Sequence, residues 1–202
     1  HSQRLTRIFS QLSGGDYDLD ILRECRGLAD YPACCPRVLS QLDRQYPGSL
    51  FINVRRDGDL QNWLQSVEGQ FVGLQLLKQG AAATDDERSF MQAMLAFREM
   101  TFGQSEFDPD VYLAAYRAYQ RRVTEMFASR TADLLQFDDV RELATSGFER
   151  LCDFLDCPHP AQPFPNCNAH SLAPRSAFMQ ALAEGKVRSQ TGILPRDSAA
   201  AL

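Results

Sequence analysis

Two adjacent arginines, Arg55 and Arg56, stand directly after the short apolar run Leu50-Phe51-Ile52-Asn53-Val54 and directly before Asp57-Gly58-Asp59. A guanidinium at the carboxyl end of a strand, beside the free N–H groups that open a helix, is suited to a phosphate. Its planar fork donates two parallel hydrogen bonds, and the helix end adds positive potential. Ser66, further along the following helix, offers a hydroxyl to the same anion. The competing reading of the arginine pair is a solvated turn, with Arg55 and Arg56 paired to Asp57 and Asp59. Asp30 is the second candidate, two residues before Pro32. A carboxylate there could take a proton from a hydroxyl as general base; its alternative is a turn aspartate bonded to local backbone.

Other chemistry finds little support. His1, His159 and His170 share no ligand or triad spacing, and the six cysteines (Cys25, Cys34, Cys35, Cys152, Cys157, Cys167) form no C-x-x-C or other zinc pattern, so no metal site is expected. The cysteines read mainly as reduced, small core residues of an intracellular protein, and a cytoplasmic location is expected. No G-x-S-x-G elbow, G-x-x-x-x-G-K-[ST] loop or G-x-G-x-x-G turn occurs. If a nucleotide binds, the cradle for its 5′-phosphate is not among these residues.

The elements that must position these groups follow from patterning. Leu50 to Val54 is short, apolar and rich in strand formers, which predicts a strand covered on both faces. Asp59 is placed to cap a helix carrying Leu60, Trp63, Leu64 and Val67. Strand, polar turn and helix form the repeating unit of an α/β domain. Leu28 to Pro32 reads as a short strand stopped by proline, followed by a helix over 37–45 opened by Pro36. Short helices are expected around Ile8–Leu12 and Leu19–Leu22, on either side of Ser13-Gly14-Gly15-Asp16. The middle is helical: 85–100 repeats Phe90, Met94 and Phe97, and 110–129 aligns Tyr112, Tyr116, Tyr119, Val123 and Phe127 on one core stripe. Asp133 to Phe137 predicts a second buried strand and 147–155 a helix. Pro158, Pro160, Pro163 and Pro165 then impose an extended path, before a helix over 177–184 and a loose tail from 188.

At 202 residues the chain can bury a substantial core as one domain, read as residues 1–187. Its net charge of −5 argues against general affinity for nucleic acid or anionic membrane, so an anionic ligand needs a local basic cluster. No apolar run reaches membrane-spanning length, and His1-Ser2-Gln3-Arg4 does not read as a signal peptide.

The order of segments resembles the sulfotransferase family. The resemblance rests on Leu28-Ala29-Asp30-Tyr31-Pro32, on Tyr46-Pro47-Gly48-Ser49-Leu50-Phe51-Ile52-Asn53-Val54-Arg55-Arg56, and on the helix with Trp63 and Ser66. It continues through Leu134-Leu135-Gln136-Phe137-Asp138 and Leu151-Cys152-Asp153-Phe154-Leu155 to Pro163-Phe164-Pro165-Asn166, covering roughly residues 15 to 170. It implies an α/β, P-loop-type three-layer fold with a short parallel sheet and many helices. The first strand and its Lys-x-Gly-Thr-type phosphate loop would be missing or lie upstream of His1. It further implies transfer of a sulfonate group from 3′-phosphoadenosine 5′-phosphosulfate to a hydroxyl or amine of a small-molecule or glycan acceptor. Arg56, or Arg55, and Ser66 would hold the 3′-phosphate, and Asp30 would occupy the place of the family's frequent histidine base. Relative to the family's usual spacing, two residues are inserted between Asp57 and Gln61. The rival reading is an inactive binding or scaffolding protein that keeps the fold; a P-loop-related kinase is a third reading, disfavoured by the absent phosphate loop and by the C-terminal motifs.

Overall fold

Pro36 at the first position of a helix and Asp108 just before another mark where two of the longer elements begin, and the computed structural model follows both signals. It describes residues 2–79 and 85–164. These residues contain helices α1 (Ser2–Ser13), α2 (Ile21–Glu24) and α3 (Pro36–Gln45), strand β1 (Phe51–Val54), helices α4 (Leu60–Gln79), α5 (Asp85–Phe102) and α6 (Pro109–Met126), strand β2 (Leu134–Phe137) and helix α7 (Gly147–Phe154). The fold is mixed α/β, as expected. The helix expected over 177–184 and the tail from 188 lie outside the described residues. No helix among the described residues is long and apolar enough to cross a membrane.

The described residues group into two compact units, one within residues 1–48 and 68–122 and one within residues 49–67 and 123–202. The first is helical. Its core joins Ile8 and Leu12 of α1, Leu19, Ile21 of α2, Cys35, Val38 and Leu42 of α3, and Ala93 and Phe97 of α5. Phe97 is fully buried and takes Phe9 edge-on and Tyr31 face-on, both with centroids at 5.6 Å. Tyr46 fixes the loop before α2: its hydroxyl accepts from Leu19 N at 2.9 Å and donates to Asp18 Oδ1 at 3.2 Å. Asp108 caps α6 by accepting from the backbone of Asp110 (2.9 Å) and Val111 (3.1 Å), with Pro109 at the first helical position. Along α6, Tyr112 is buried in this unit, and Val123 and Phe127 in the other, as the stripe predicts.

The second unit is built on β1 and β2, which pair in parallel from Phe51 opposite Leu134 to Val54 opposite Phe137. Parallel strands need a long crossover, and α4, α5 and α6 supply it. Phe137 is fully buried, and the Arg150 guanidinium lies 5.0 Å above its ring. Gly147 opens α7 where nothing larger fits: a Cβ there would meet the Glu142 carbonyl oxygen at 2.5 Å and the Phe137 ring at 3.0 Å. At the other end of α7 the chain closes with Asp156 at φ 48, bonding Asp156 N to Asp153 O and Cys157 N to Cys152 O.

Two expectations are corrected. Residues 28–32 form no strand. Asp30 sits at φ 54, a left-handed conformation incompatible with extension, and Cys34 N bonds back to Asp30 O at 2.9 Å to close a turn. Nor is β1 covered on both faces. Ile52 is 44% exposed, while polar Asn53 takes the buried place. Asn53 can do so because its amide reaches Gln136 Oε1, opposite it in register, at 3.5 Å. The five described cysteines are free thiols; Cys35 and Cys152 are buried, and Cys157 is exposed.

Candidate functional site

The sheet ends where the arginines begin. Arg55 N still donates to Phe137 O at 2.8 Å, one residue beyond β1, and Arg56 forms a lone antiparallel bridge with Asp139. The carboxyl ends of both strands therefore deliver their following loops to one place. After β1 the chain makes a 3-10 turn, Asp57–Asp59, before α4 starts at Leu60. After β2 it makes another, Val140–Ala144, fastened by reciprocal capping: Asp139 Oδ1 accepts from Arg141 N at 2.8 Å, and Glu142 Oε1 accepts from Asp139 N at 3.0 Å.

These loops bring Arg55, Arg56, Arg141 and Arg150 together with Asp57, Asp138, Asp139 and Glu142. Arg55 forms ion pairs with Asp57 and, at 3.5 Å, with Asp138; its Nε is buried with no hydrogen-bond partner. Arg141 grips Asp139 through Nε and Nη2. That grip, with the Arg141 backbone N–H and the nearby Arg56 charge, holds the Asp139 carboxyl down at about 2. Backbone donation from Asp139 and Asp138 keeps Glu142 low, helped by Arg150 at 3.0 Å. Arg150 also donates to Gln136 O at 3.1 Å, tying α7 to β2. Gly58 runs against the Asp139–Arg141 pair, since a Cβ there would stand 3.1 Å from Asp139 Oδ2.

The pairing of Arg55 with Asp57 matches the solvated-turn alternative for that arginine. Asp59 instead accepts from the Asn62 amide, one turn into α4. Ser66 is exposed on α4, about 9 Å along the helix axis from Leu60 at 1.5 Å per residue. Asp30 belongs to the other compact unit. It is exposed at the head of a turn whose next residue, Tyr31, stacks on Phe97. Two thiols follow, Cys34 half-buried and Cys35 buried. A hydrogen bond with Cys35 and burial push the Cys34 thiol well up, and the same bond lowers Cys35, whose Sγ lies 3.0 Å from Thr101 Oγ1.

Arg141 and Arg150 belong to this arginine cluster and escaped the sequence reading. A signal existed for the loop that holds them: Asp139 followed three residues later by Glu142 is a capping signature. His159, given no role from sequence, pairs with Asp153 at 2.7 Å beside an open groove of about 240 Å³ lined by Leu143, Phe148, Cys152 and Phe164. Among the described residues no group of three or more His, Cys, Asp or Glu is placed to hold a metal ion.

A family model described as a sulfotransferase domain matches residues 10–172. No curated protein and no solved structure matches the chain.

Proposed function

Because the chain belongs to the sulfotransferase family, we propose that it transfers a sulfonate group from 3′-phosphoadenosine 5′-phosphosulfate to a hydroxyl or amine of a small-molecule or glycan acceptor. In this reading residues 1–187 act as one domain, Arg56 and Arg55 hold the donor's 3′-phosphate with Ser66 as an added hydroxyl, and Asp30 takes the acceptor's proton. The observation that carries the reading is the family match over residues 10–172 on a chain whose β1 is followed directly by two arginines.

The donor set fits a phosphate in kind. The guanidinium groups stand at the carboxyl ends of parallel strands, where ligands of open α/β sheets collect. Arg55 Nε is a buried donor with no acceptor, and such a group gains most from an incoming oxyanion. When bound, the donor supplies a sulfonate already activated by a phosphate leaving group. The chain's own residues then bind, orient and remove a proton, which is catalysis by positioning and charge. Asp30 suits the last task because its carboxylate is exposed on a backbone fixed by the Cys34 N to Asp30 O bond.

A binding or scaffolding protein that keeps the fold is the second reading, favoured by the commitment of Arg55 to Asp57 and Asp138. Calorimetry of the full chain with 3′-phosphoadenosine 5′-phosphate tests both. The proposal expects binding that is lost when Arg55 and Arg56 are both replaced by Ala. No heat from the wild type, or heat unaltered by the double replacement, overturns the assignment. Binding without sulfonate transfer to phenol, alcohol, amine and glycan acceptors favours the second reading.

A further inference from the structure

The turn that ends α7 sets two thiols side by side. Asp156 stands at φ 48, Asp156 N donates to Asp153 O at 3.2 Å, and Cys157 N donates to Cys152 O at 3.0 Å. This is the Schellman pattern, in which the residue two places beyond the helix cap meets the side chain of the residue three places before it. The cap is Leu155, so the two residues that meet are Cys157 and Cys152. That contact is ordinarily between apolar side chains, and here both are thiols. By standard bond lengths, a 3.0 Å bond between the amide of one residue and the carbonyl of the other holds their Cα atoms no more than about 7 Å apart. Beyond that separation a disulfide cannot close without backbone movement.

The turn is held in place from both sides. Pro158 restricts Cys157, the residue before it, to an extended backbone. His159 Nε2 lies 2.7 Å from Asp153 Oδ1, which fastens the chain after Cys157 back onto the last turn of α7. Within α7, Arg150 donates to Gln136 O and anchors the helix to β2. The two thiols differ in access. Cys157 is the exposed one among the described cysteines, whereas Cys152 is 3% exposed. Burial, with a hydrogen bond from Cys157, raises the Cys152 thiol, so Cys152 stays protonated and shielded until a sulfur is delivered beside it.

We propose that Cys157 is a site of thiol–disulfide exchange with low-molecular-weight disulfides, and that Cys152 resolves the adduct into a reversible Cys152–Cys157 bridge that clasps the end of α7. In the first step the Cys157 thiolate attacks one sulfur of the small disulfide, forming a mixed disulfide and expelling one small thiolate. In the second, Cys152 gives up its proton and attacks the Cys157 sulfur, expelling the other. Two protein thiols are oxidised to one disulfide, the small disulfide is reduced to two thiols, and the two protons pass to the departing thiolates. Excess small thiol reverses both steps. A reversible bridge of this kind fits a chain whose described cysteines are all free thiols. It does not depend on the sulfonate-transfer reading.

The test equilibrates the full chain with glutathione and glutathione disulfide at graded ratios, blocks the remaining thiols and maps them by mass spectrometry. Cleavage before Asp153 and Asp156 puts Cys152 and Cys157 on separate peptides. These should become linked, with the loss of two hydrogens, as the oxidised fraction rises, and should part again on adding dithiothreitol. The same link should form in Cys167→Ser. Cys152→Ser should instead accumulate one glutathione on Cys157, because the resolving thiol is gone, and Cys157→Ser should leave Cys152 unmodified. The bridged protein should melt about 4 to 8 °C above the reduced one, as expected for closing a short loop. Should Cys152→Ser fail to fold, Cys152→Ala takes its place, and the wild-type map decides without either. A stable glutathione adduct on wild-type Cys157 with Cys152 still reduced overturns the proposal. So does a link that vanishes in Cys167→Ser, or a Cys157 that reacts with neither glutathione disulfide nor Cys152. A bridged form that melts below the reduced one overturns the claim that the folded turn accommodates the bond.

Discussion

If the strand-end arginines hold the donor's 3′-phosphate as proposed, Asp57 should oppose that binding, and Asp57→Asn should tighten binding of 3′-phosphoadenosine 5′-phosphate. Asp57 is ion-paired with Arg55, with side chains 42% and 32% exposed respectively, so water screens the pair. A phosphate engaging the same guanidinium would stand roughly 5 Å from that carboxylate. There, unit charges interact by about 0.8 kcal/mol in a water-like dielectric. A phosphate carries about 1.5 to 2 charges, and physiological salt roughly halves the effect at this distance. The repulsion removed is thus about 0.7 kcal/mol, and freeing Arg55 from an exposed pair adds about 0.2 to 1 kcal/mol. Together these predict a dissociation constant lower by about fivefold to fifteenfold. Asp138 is farther from Arg55, at 3.5 Å, and 79% exposed, so Asp138→Asn should have a smaller effect. Calorimetry at two salt concentrations is the assay, and the gain should shrink as salt rises. Unchanged or weaker binding by Asp57→Asn, in a protein whose binding still requires Arg55, would refute the argument and make Asp57 a positioner of Arg55.

Asp30→Asn should keep the melting temperature, because Asn tolerates the left-handed backbone at φ 54, and should lose sulfonate transfer in a donor-dependent assay. Asp30→Ala should lose transfer and also roughly 1 kcal/mol of stability from backbone strain. Phe97→Ala removes the ring held between Phe9 and Tyr31 and should cost about 3 to 5 kcal/mol, lowering the melting temperature by roughly 10 °C. Gly147→Ala forces a Cβ against the Glu142 backbone, and denaturant unfolding should show a clear loss of stability with unchanged slope. Asp139 has its pKa lowered from 3.8 to about 2, chiefly by its hydrogen bonds with Arg141. A depressed carboxyl stabilises the fold fully above its unfolded pKa and loses that contribution as pH falls through the folded one. Melting temperatures between pH 5 and pH 2 should therefore fall more steeply for wild type than for Asp139→Asn.

The parts legible in sequence were those set by periodic apolar burial and by strong local signals. The α6 stripe was legible because Tyr112, Val123 and Phe127 are buried at helical spacing with Tyr116 and Tyr119 half-buried between them, and α3 because proline fixed its start. Leu28 to Pro32 was misread because an apolar pair beside a proline looks the same in an extended segment as in a turn. What decides is the sign of φ at Asp30, a residue that tolerates either. The strand was read as covered on both faces, yet Ile52 is exposed and Asn53 is buried, because hydropathy cannot register the partner amide of Gln136, which is distant in sequence. The burial of Arg98 on α5 was invisible for a related reason. The spacing of Phe90, Met94 and Phe97 marks the buried face of α5, and a charged neighbour on a helix ordinarily turns to solvent.

The same limit applies at the strand ends, and it explains why an anion site there is harder to read than a strand. Arg55 and Arg56 could be singled out as candidates because the carboxyl end of a parallel strand is a place, fixed by topology. Whether an arginine in that place is available to a ligand depends on a contest among Asp57, Asp138, Asp139 and Glu142, and three of these arrive from the loop after β2. That contest is settled by cap geometry: Asp139 and Glu142 are occupied in holding their own turn and in binding Arg141 and Arg150. Asp57 and Asp138 remain on Arg55. Of the two, Asp57 is tied to Arg55 by sequence proximity, so it is the carboxylate that a phosphate bound as proposed would have to displace. On the proposed function, the strength of cofactor binding would therefore be governed as much by the acid beside the arginines as by the arginines themselves.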